Sequence, residues 1–183
     1  MGNWHQDIVI KNVSENELDA VAEQVLQYLI GREVISEKKK DNVLGKELGY
    51  CPGENWASVV DYPEEEHFLE LNTNGMTIQK GRTVFWADGQ EFKKIKCPRC
   101  SENNLECDWG ELFSRWIEDP KSADYECKKC KVPSAISEYA FTPKWALSNL
   151  GFTFWNWPLF KSSFVIELEE LTGRKIELVQ GKL

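Results

Sequence analysis

The sequence predicts an α+β fold: a mixed or antiparallel sheet with a β-α-β element near each end of the chain and one inserted segment. Two stretches of helically spaced apolar residues, one near each end, are flanked by short β-type runs. Further short runs separated by turn dipeptides fill the middle, and two Cys-x-x-Cys pairs follow them. We therefore divide the chain into two core parts, residues 1–92 and 132–183, and an insertion over residues 93–131.

The first β-α-β element is predicted from a strand over residues 7–12 to a strand over residues 33–36. Between them, Ser14 can cap a helix, and Glu17 can return a hydrogen bond to the backbone of Ser14. Gly31 is expected to end this helix in a left-handed conformation. Six apolar residues at helical spacing form its buried stripe: Leu18, Val21, Ala22, Val25, Leu26 and Leu29.

A meander of short strands is predicted for the middle of the chain. It follows a polar turn at residues 38–41 and a loop at residues 50–56. Asn74-Gly75 and Asp88-Gly89 are dipeptides that favour hairpin turns, because both tolerate positive φ. The strand candidates are residues 68–71, 76–79, 83–87 and 92–95.

The second β-α-β element is expected to close the chain. Thr142-Pro143 is predicted to begin a preceding helix that stops at Gly151. The element itself consists of a strand over residues 152–157, a helix over residues 162–172 and a strand over residues 176–180.

Trp155 and Trp157 lie two residues apart in the aromatic strand of this element, and strand alternation predicts that they share one face of the sheet. That face either lies under the helix that follows or forms a contact surface for a partner. The sequence favours burial, because the helix over residues 162–172 needs a sheet face to pack on.

The composition excludes a membrane protein. Hydrophobic residues make up 42% of the chain and aromatic residues 12%, which is enough for a core without disulfides. The mean hydropathy is −0.48, and no apolar run approaches the ~20 residues of a membrane-spanning helix. The first residues lack the basic and apolar regions of a signal peptide. We expect a cytoplasmic protein with no membrane partner, whose six cysteines stay reduced as metal ligands or free thiols.

The two Cys-x-x-Cys pairs are the strongest chemical signal in the sequence. Cys97 and Cys100 form one pair, Cys127 and Cys130 the other, and 26 residues separate the pairs. Two residues between cysteines allow a tight turn to direct both sulfurs to one ion, so two such turns complete a four-thiolate shell. Over about residues 93–131 the chain resembles zinc-ribbon proteins, and the resemblance implies one structural Zn²⁺. It indicates a metal-binding scaffold rather than a function.

Other uses of these cysteines are weaker interpretations. A redox dithiol needs a single pair, and a catalytic zinc site keeps an open position and commonly includes histidine. Iron in the same cage is a further alternative. Cys107 lies between the pairs and is able to replace one ligand, but a spare thiol is the preferred interpretation. The 26-residue gap predicts a projecting loop or short helix with residues 112–117 as its apolar content.

No catalytic residues are predicted. Consecutive carboxylates are more often a solvated surface than an acid–base site, and an isolated loop cysteine such as Cys51 is more often a plain thiol than a nucleophile. The chain has neither a glycine-rich phosphate loop nor a nucleophile elbow. The acidic cluster consists of Asp61, Glu64, Glu65, Glu66, His67 and Glu70.

Charge is distributed unevenly and guides the choice of partner. The formal net charge is −8 overall, with −9 in residues 1–92 and +1 in residues 93–131. Basic residues near the cysteines either offset the charge of about −2 on a zinc–thiolate centre or form a phosphate-binding patch. They are Lys94, Lys96, Arg99, Lys128, Lys129 and Lys131.

Three function classes follow from these observations. The first is a zinc-binding, non-enzymatic cytosolic protein of bacterial type that acts as a protein-interaction or regulatory module, for example an inhibitor or antitoxin of a basic effector. The second is a nucleic-acid-associated zinc-ribbon protein, which is disfavoured because the rest of the chain is acidic. The third is an enzyme of unrecognised type.

Overall fold

The computed structural model describes residues 2–87, 91–119 and 124–183. Its helices and antiparallel sheets confirm the α+β class. The helices are α1 (Leu18–Gly31), α2 (Trp109–Glu118) and α3 (Ser162–Thr172), with 3₁₀ turns at Trp56–Val59, Glu66–Glu70 and Ile136–Glu138. The strands are β1 (Trp4–Ile10), β2 (Ile35–Lys40), β3 (Gly49–Pro52), β4 (Met76–Phe85), β5 (Lys94–Lys96), β6 (Asp124–Glu126), β7 (Pro133–Ala135), β8 (Ala140–Thr142), β9 (Ala146–Trp155) and β10 (Ile176–Lys182).

Six of these strands form the main sheet in the order β10-β1-β9-β4-β3-β2. Every neighbouring pair in it is antiparallel. Strands β1 and β2 therefore run in the same direction but have three strands between them. Strands β9 and β10 are also parallel in direction, with β1 inserted between them. Both predicted β-α-β elements are present, and each is split by strands from elsewhere in the chain.

Helices α1 and α3 pack on one face of this sheet. Ile8 and Ile10 of β1 join Leu150, Phe152 and Phe154 of β9 in one hydrophobic cluster with the inward residues of both helices. Because side chains alternate along a strand, the strand residues that alternate with these five lie on the opposite face of the sheet. A smaller cluster forms there: Val9, Phe85, Ala146 and Val179.

No helix in the described ranges is long and apolar enough to cross a membrane.

Helix α1 matches its predicted stripe, but it begins at Leu18 with Glu17 at the cap position rather than Ser14, and Gly31 is not its left-handed residue. Glu17 accepts a hydrogen bond from the Ser14 backbone N–H at 3.3 Å, while the Ser14 hydroxyl donates to the Glu17 carboxylate. Gly31 is the last helical residue, and the left-handed position belongs to Glu33, at φ 56°. The backbone N–H groups of Glu33 and Val34 donate to the carbonyl oxygens of Ile30 and Leu29, so the left-handed residue lies two positions beyond the predicted one.

The middle of the chain departs most from the predicted meander. Residues 38–40 belong to β2 rather than a turn, and residues 50–52 form β3. The segment predicted as strand 68–71 is a 3₁₀ turn that directs Phe68 into the core. The two predicted strands 76–79 and 83–87 are one strand, β4, with a register shift at Gly81.

The predicted hairpin turns have separate outcomes. Asn74-Gly75 is not a hairpin, because the N–H groups of both residues donate to the carbonyl oxygen of Asn42. Asp88-Gly89 lies outside the described residues.

The predicted helix from Thr142-Pro143 to Gly151 is wrong. Strand β8 ends at Thr142, a cis peptide bond joins it to Pro143, and β9 begins at Ala146. Strand β9 lies between β1 and β4, and nine of its ten residues are buried. The prediction rested on Pro143 as a start signal and Gly151 as a stop signal, but Pro143 lies in the turn between β8 and β9, and Gly151 lies inside β9.

Trp155 and Trp157 are both buried, but they do not share a face as predicted. Asn156 has a φ of 58°, and this left-handed residue ends the alternation of β9. Trp157 packs against Phe68 in the cluster under the helices, whereas Trp155 contacts His5 on the opposite face.

Candidate metal centre

Each cysteine pair follows the short strand of a two-stranded sheet. Strand β5 runs into Cys97 and pairs with β8, and strand β6 runs into Cys127 and pairs with β7. The two small sheets thereby bring both turns close together. Residues 133–142, which lie after the predicted insertion, contribute the partner strands.

The two cysteine turns have the same backbone conformation. The carbonyl oxygen of Cys97 accepts a hydrogen bond from Ser101 N at 3.0 Å, and that of Cys127 accepts one from Lys131 N at 2.9 Å. Ser101 has a φ of 59° and Lys131 a φ of 58°. Neither residue type favours the left-handed region, so the sequence gives no sign of this match.

The four sulfur atoms lie within 4.8 Å of one another. Cys97 Sγ is 3.8 Å from Cys130 Sγ, and Cys100 Sγ is 3.6 Å from Cys127 Sγ. A tetrahedron of sulfurs at ~2.3 Å from a central ion has edges of about 3.8 Å, whereas a disulfide requires about 2.05 Å. The spacing therefore fits a shared metal ion rather than sulfur–sulfur bonds. These four residues are the only group of metal-ligand side chains with such proximity in the described ranges.

Backbone N–H groups favour the thiolate form at two of the cysteines. The N–H group of Cys130 lowers the pKa of Cys127 to about 6, against an opposing effect of burial. Burial alone would raise the pKa of Cys97, but the N–H groups of Cys100 and Arg99 lower it. Thiolates are the form that binds metals, so the turns favour the metal-binding form at these two cysteines.

Cys100 behaves differently. The backbone N–H of Glu102 acts to lower its pKa, but burial and the thiol of Cys127 outweigh this and raise the pKa to about 12. Four thiols this close share protons, and a cation bound between them would displace those protons.

Asn104 joins the two cysteine turns and is missing from the sequence-based site. It is 1% exposed. Its side-chain amide donates to Glu102 O at 2.9 Å and to Cys127 Sγ at 3.6 Å. Its side-chain oxygen accepts from Lys128 N at 3.2 Å. A side chain that hydrogen-bonds to the ligand residues and fixes their orientation is typical of metal sites.

Helix α2 covers the centre and forms the apolar projection predicted at residues 112–117. Asp108 caps it by accepting from Glu111 N at 3.1 Å. Trp109 donates its indole N–H to Asn104 O at 2.9 Å and packs edge-on against Phe141. Cys97 and Cys127 are part of the same buried cluster.

Two hydrogen-bonded contacts attach this unit to the main sheet. Lys11, at the end of β1, donates to Ser137 O at 2.8 Å and to Leu147 O at 3.0 Å. Arg82 of β4 donates to the carbonyl oxygen of Trp116 in α2 at 2.9 Å.

The two remaining cysteines lie outside the group of four. Cys107 packs in the cluster around α2, and burial raises the pKa of its thiol. Cys51 is half-buried in β3. Among the described residues, the group of closely spaced metal-ligand side chains includes neither Cys107 nor Cys51.

Three of the basic residues near the cysteines form ion pairs with nearby carboxylates. Lys129 pairs with Glu102 at 2.7 Å and Lys128 with Glu106 at 2.9 Å. Arg99 is 3.8 Å from the carboxylate of Glu138. These carboxylates reduce the positive potential that the sequence alone suggests.

Comparison with protein-family models, with curated proteins and with solved structures finds no match for this chain. The four-cysteine group is compatible with a zinc-ribbon-like site and could hold a metal ion.

Proposed function

We propose that the chain binds one structural Zn²⁺ through Cys97, Cys100, Cys127 and Cys130. The observation that carries this proposal is the pair of sulfur–sulfur distances, 3.6 and 3.8 Å, between cysteines of different turns. They match the edge of a tetrahedral zinc–thiolate site. Four thiolates select zinc over hard cations such as Mg²⁺ and Ca²⁺.

The proposed role of the ion is structural rather than catalytic. Four protein ligands close the coordination shell and leave no position for water or substrate. The short strands β5 and β6 are three residues each, too small for independent stability, so metal binding supplies folding free energy to this part of the chain. A cytoplasmic location belongs to the proposal, because reduced thiols persist there. The division into core residues 1–92 and 132–183 and a metal-binding insertion at 93–131 is part of the same proposal, with residues 133–142 of the second core part pairing with the strands of the insertion.

Elemental analysis of purified protein tests zinc binding. We expect close to one zinc per chain, and a loss of zinc when Cys97 or Cys130 is replaced by serine. Cys107→Ser is the matched control and should retain the metal. In the zinc-free variants the α2 region should unfold first while α1 and α3 stay folded. A metal-free protein with all four thiols freely labelled would refute the proposal.

We further propose that the protein is a non-enzymatic interaction module, and that residues 61–71 contact a basic protein partner. This segment is exposed along almost its whole length. Phe68 holds it to the core through contacts with Trp56 and Trp157. Its exposed apolar side chains are Tyr62, Leu69 and Leu71, at 46%, 41% and 43%. Its exposed carboxylates are Asp61, Glu64, Glu65, Glu66 and Glu70.

Apolar side chains among like charges are a typical arrangement for recognition. The carboxylates steer an oppositely charged partner, and the apolar groups supply buried area on contact. The inhibitor or antitoxin of a basic effector is one concrete form of this module. The nucleic-acid alternative has less support, because Arg99, Lys128 and Lys129 already have carboxylate partners.

Charge reversal tests the interaction surface. A partner is first captured with the unmodified protein from its native host and then purified. Changing Glu64, Glu65 and Glu66 to lysine should weaken its binding at least ~10-fold, with most of the loss in the association rate. The control changes Glu37, Glu54 and Glu170, exposed residues elsewhere, in the same way. Equal losses in both variants, or no loss in either, would remove the segment from the interface.

A further inference from the structure

A cleft of about 420 Å³ with a mainly apolar lining and a few buried polar groups lies on the face of the main sheet opposite α1 and α3. We call it the sheet cleft and define it by six lining residues: His5, Asp7, Gln79, Trp86, Thr153 and Trp155. It is separate from the cysteine centre, and the proposed function does not use it. Its volume is in the range of small-molecule sites.

The sheet register brings the polar residues of the cleft together. His5 lies opposite Trp155 of β9, and Asp7 lies opposite Thr153. Alternation places all four on the same face, because both pairs are separated by one residue along each strand. This arrangement depends on strands 146 residues apart in sequence that pair only in the fold, so the sequence patterns did not indicate it.

Asp7 is the centre of a buried hydrogen-bonded row. Its carboxylate accepts from the Thr153 hydroxyl at 2.7 Å, and its other oxygen lies 3.1 Å from Nδ1 of His5. Asp7 is 3% exposed and His5 5%. With Nδ1 donating to Asp7, Nε2 of a neutral His5 is a hydrogen-bond acceptor.

Glycine and tryptophan residues hold the His5 ring in place. Gly181 of β10 lies opposite His5, and a Cβ atom there would be 2.3 Å from Nε2, so the ring occupies space that only glycine leaves. Trp86 and Trp155 pack against the ring with centroid distances of 5.9 and 5.5 Å.

Charge and chemistry decide the class of ligand. Asp7 and His5 are the only ionisable side chains among the described residues that line the cleft, and no lysine or arginine lines it. The lining therefore disfavours a phosphate or carboxylate. A buried carboxylate without a full cationic partner is costly, and indole rings attract cations.

We propose that the sheet cleft binds a small organic cation, an ammonium group carried on an apolar body. The ammonium group donates one hydrogen bond to Nε2 of His5 and neutralises the negative potential of Asp7. The apolar body packs between Trp86 and Trp155. Aromatic walls around an anionic base are a common way in which proteins recognise ammonium groups.

Histidine NMR provides a direct test, because the chain has only two histidines. His5 lies in the cleft, whereas His67 is exposed and follows three glutamates. His67 therefore reports general accumulation of cations. The probes are n-butylammonium, the neutral n-butanol and the anionic butyrate, each titrated into the ¹⁵N-labelled full chain. We expect n-butylammonium to shift the His5 imidazole signals saturably, with a Kd in the millimolar range typical of a fragment of about five heavy atoms.

Two variants locate the binding. Trp86→Leu should weaken n-butylammonium binding about 5-fold, and Asp7→Asn at least about 10-fold. Trp4→Leu is the matched control, because Trp4 is 54% exposed and does not line the cleft. Trp86 is only half-buried, so its replacement keeps the test informative if Asp7→Asn fails to fold.

Each remaining outcome contradicts the proposal in a specific way. Equal shifts from n-butanol or butyrate would overturn the cationic class of the ligand. Shifts of His67 that parallel those of His5 would show non-specific binding. The absence of any saturable shift at His5, or equal losses in Trp86→Leu and Trp4→Leu, would overturn the cleft as the site.

Discussion

Trp155 and Trp157 offer a controlled comparison of what a buried indole contributes to stability. They are 8% and 4% exposed, so truncation of either ring removes similar apolar area. They lie on opposite faces of the sheet, and they also differ in the hydrogen bonding of their indole N–H groups. The indole N–H of Trp157 donates to Asn74 O at 2.8 Å, whereas that of Trp155 has no hydrogen-bond partner among the described residues.

The magnitudes follow from these environments. Burial of a tryptophan ring removes about 150–250 Å² from water, and replacement by alanine in a core costs about 3–5 kcal/mol. Trp155→Ala also removes a buried donor that lacks an acceptor, which places its cost near the lower end. Trp157→Ala leaves the Asn74 carbonyl without its donor, which adds about 1–3 kcal/mol. We expect Trp157→Ala to cost about 1–2 kcal/mol more than Trp155→Ala.

Phenylalanine substitutions isolate the hydrogen bond, because they retain most of the apolar area. Trp155→Phe should cost under ~1 kcal/mol, and Trp157→Phe about 1–2 kcal/mol more. Urea unfolding followed by far-ultraviolet circular dichroism measures all four variants with an assay that the other tryptophans do not obscure. Equal costs for the two phenylalanine variants, or a larger cost at Trp155, would refute the argument. An unchanged midpoint for Trp155→Ala would contradict its burial.

Three further predictions concern helix ends, acid stability and the cysteine centre. Gly31→Ala should stabilise the fold by ~0.5–1 kcal/mol, because Gly31 is helical and has open space around it. Gly173→Ala should destabilise the fold, because Gly173 has a φ of 63°, and thermal unfolding compares the two variants. Burial acts to raise the pKa of Glu177, but Lys11 and neighbouring lysines outweigh this and lower it. The stabilising contribution of the Glu177 carboxylate is therefore present above the unfolded pKa and is lost as pH falls through the lower folded pKa, so Glu177→Gln should flatten the acid side of the stability–pH curve. Asn104→Ala should weaken zinc affinity by ~10–100-fold in a chelator competition, since its amide joins the two turns.

The elements that sequence periodicity predicted well are those whose signals are local. Helix α3 matches its predicted range, Ser162–Thr172, and Gly173 takes the expected left-handed conformation. Helix α1 buries five residues of its predicted stripe. In both helices the apolar spacing lies within one segment, and in α3 the glycine stop signal does as well, so no distant partner is needed to interpret these signals.

The wrong predictions concern segments whose structure depends on distant parts of the chain. The segment from Ala146 to Trp155 is a central strand, because β1 and β4 lie on both sides of it. Non-glycine residues at positive φ, such as Asn156 and Glu33, ended elements where the sequence offered only weak signals. The polar row of the sheet cleft depends on strand register, which local patterns do not specify.

The cysteine centre was predictable in part for the same reason. Spacing within each Cys-x-x-Cys turn is local, and the structure brings all four sulfurs together. Asn104 was not predictable, because its contact with Cys127 spans 23 residues and carries no motif. The ion pairs that partly neutralise the basic residues near the cysteines, Lys128 with Glu106 and Lys129 with Glu102, were not predictable either.

Zinc-edge X-ray absorption of the purified protein tests the central claim most directly. The arrangement of Cys97, Cys100, Cys127 and Cys130 predicts a single shell of four sulfur scatterers at about 2.3 Å with no nitrogen or oxygen. Cys107→Ser should leave that spectrum unchanged. A shell with fewer sulfurs and added nitrogen or oxygen, or a protein that binds no zinc, would contradict the closed four-thiolate site.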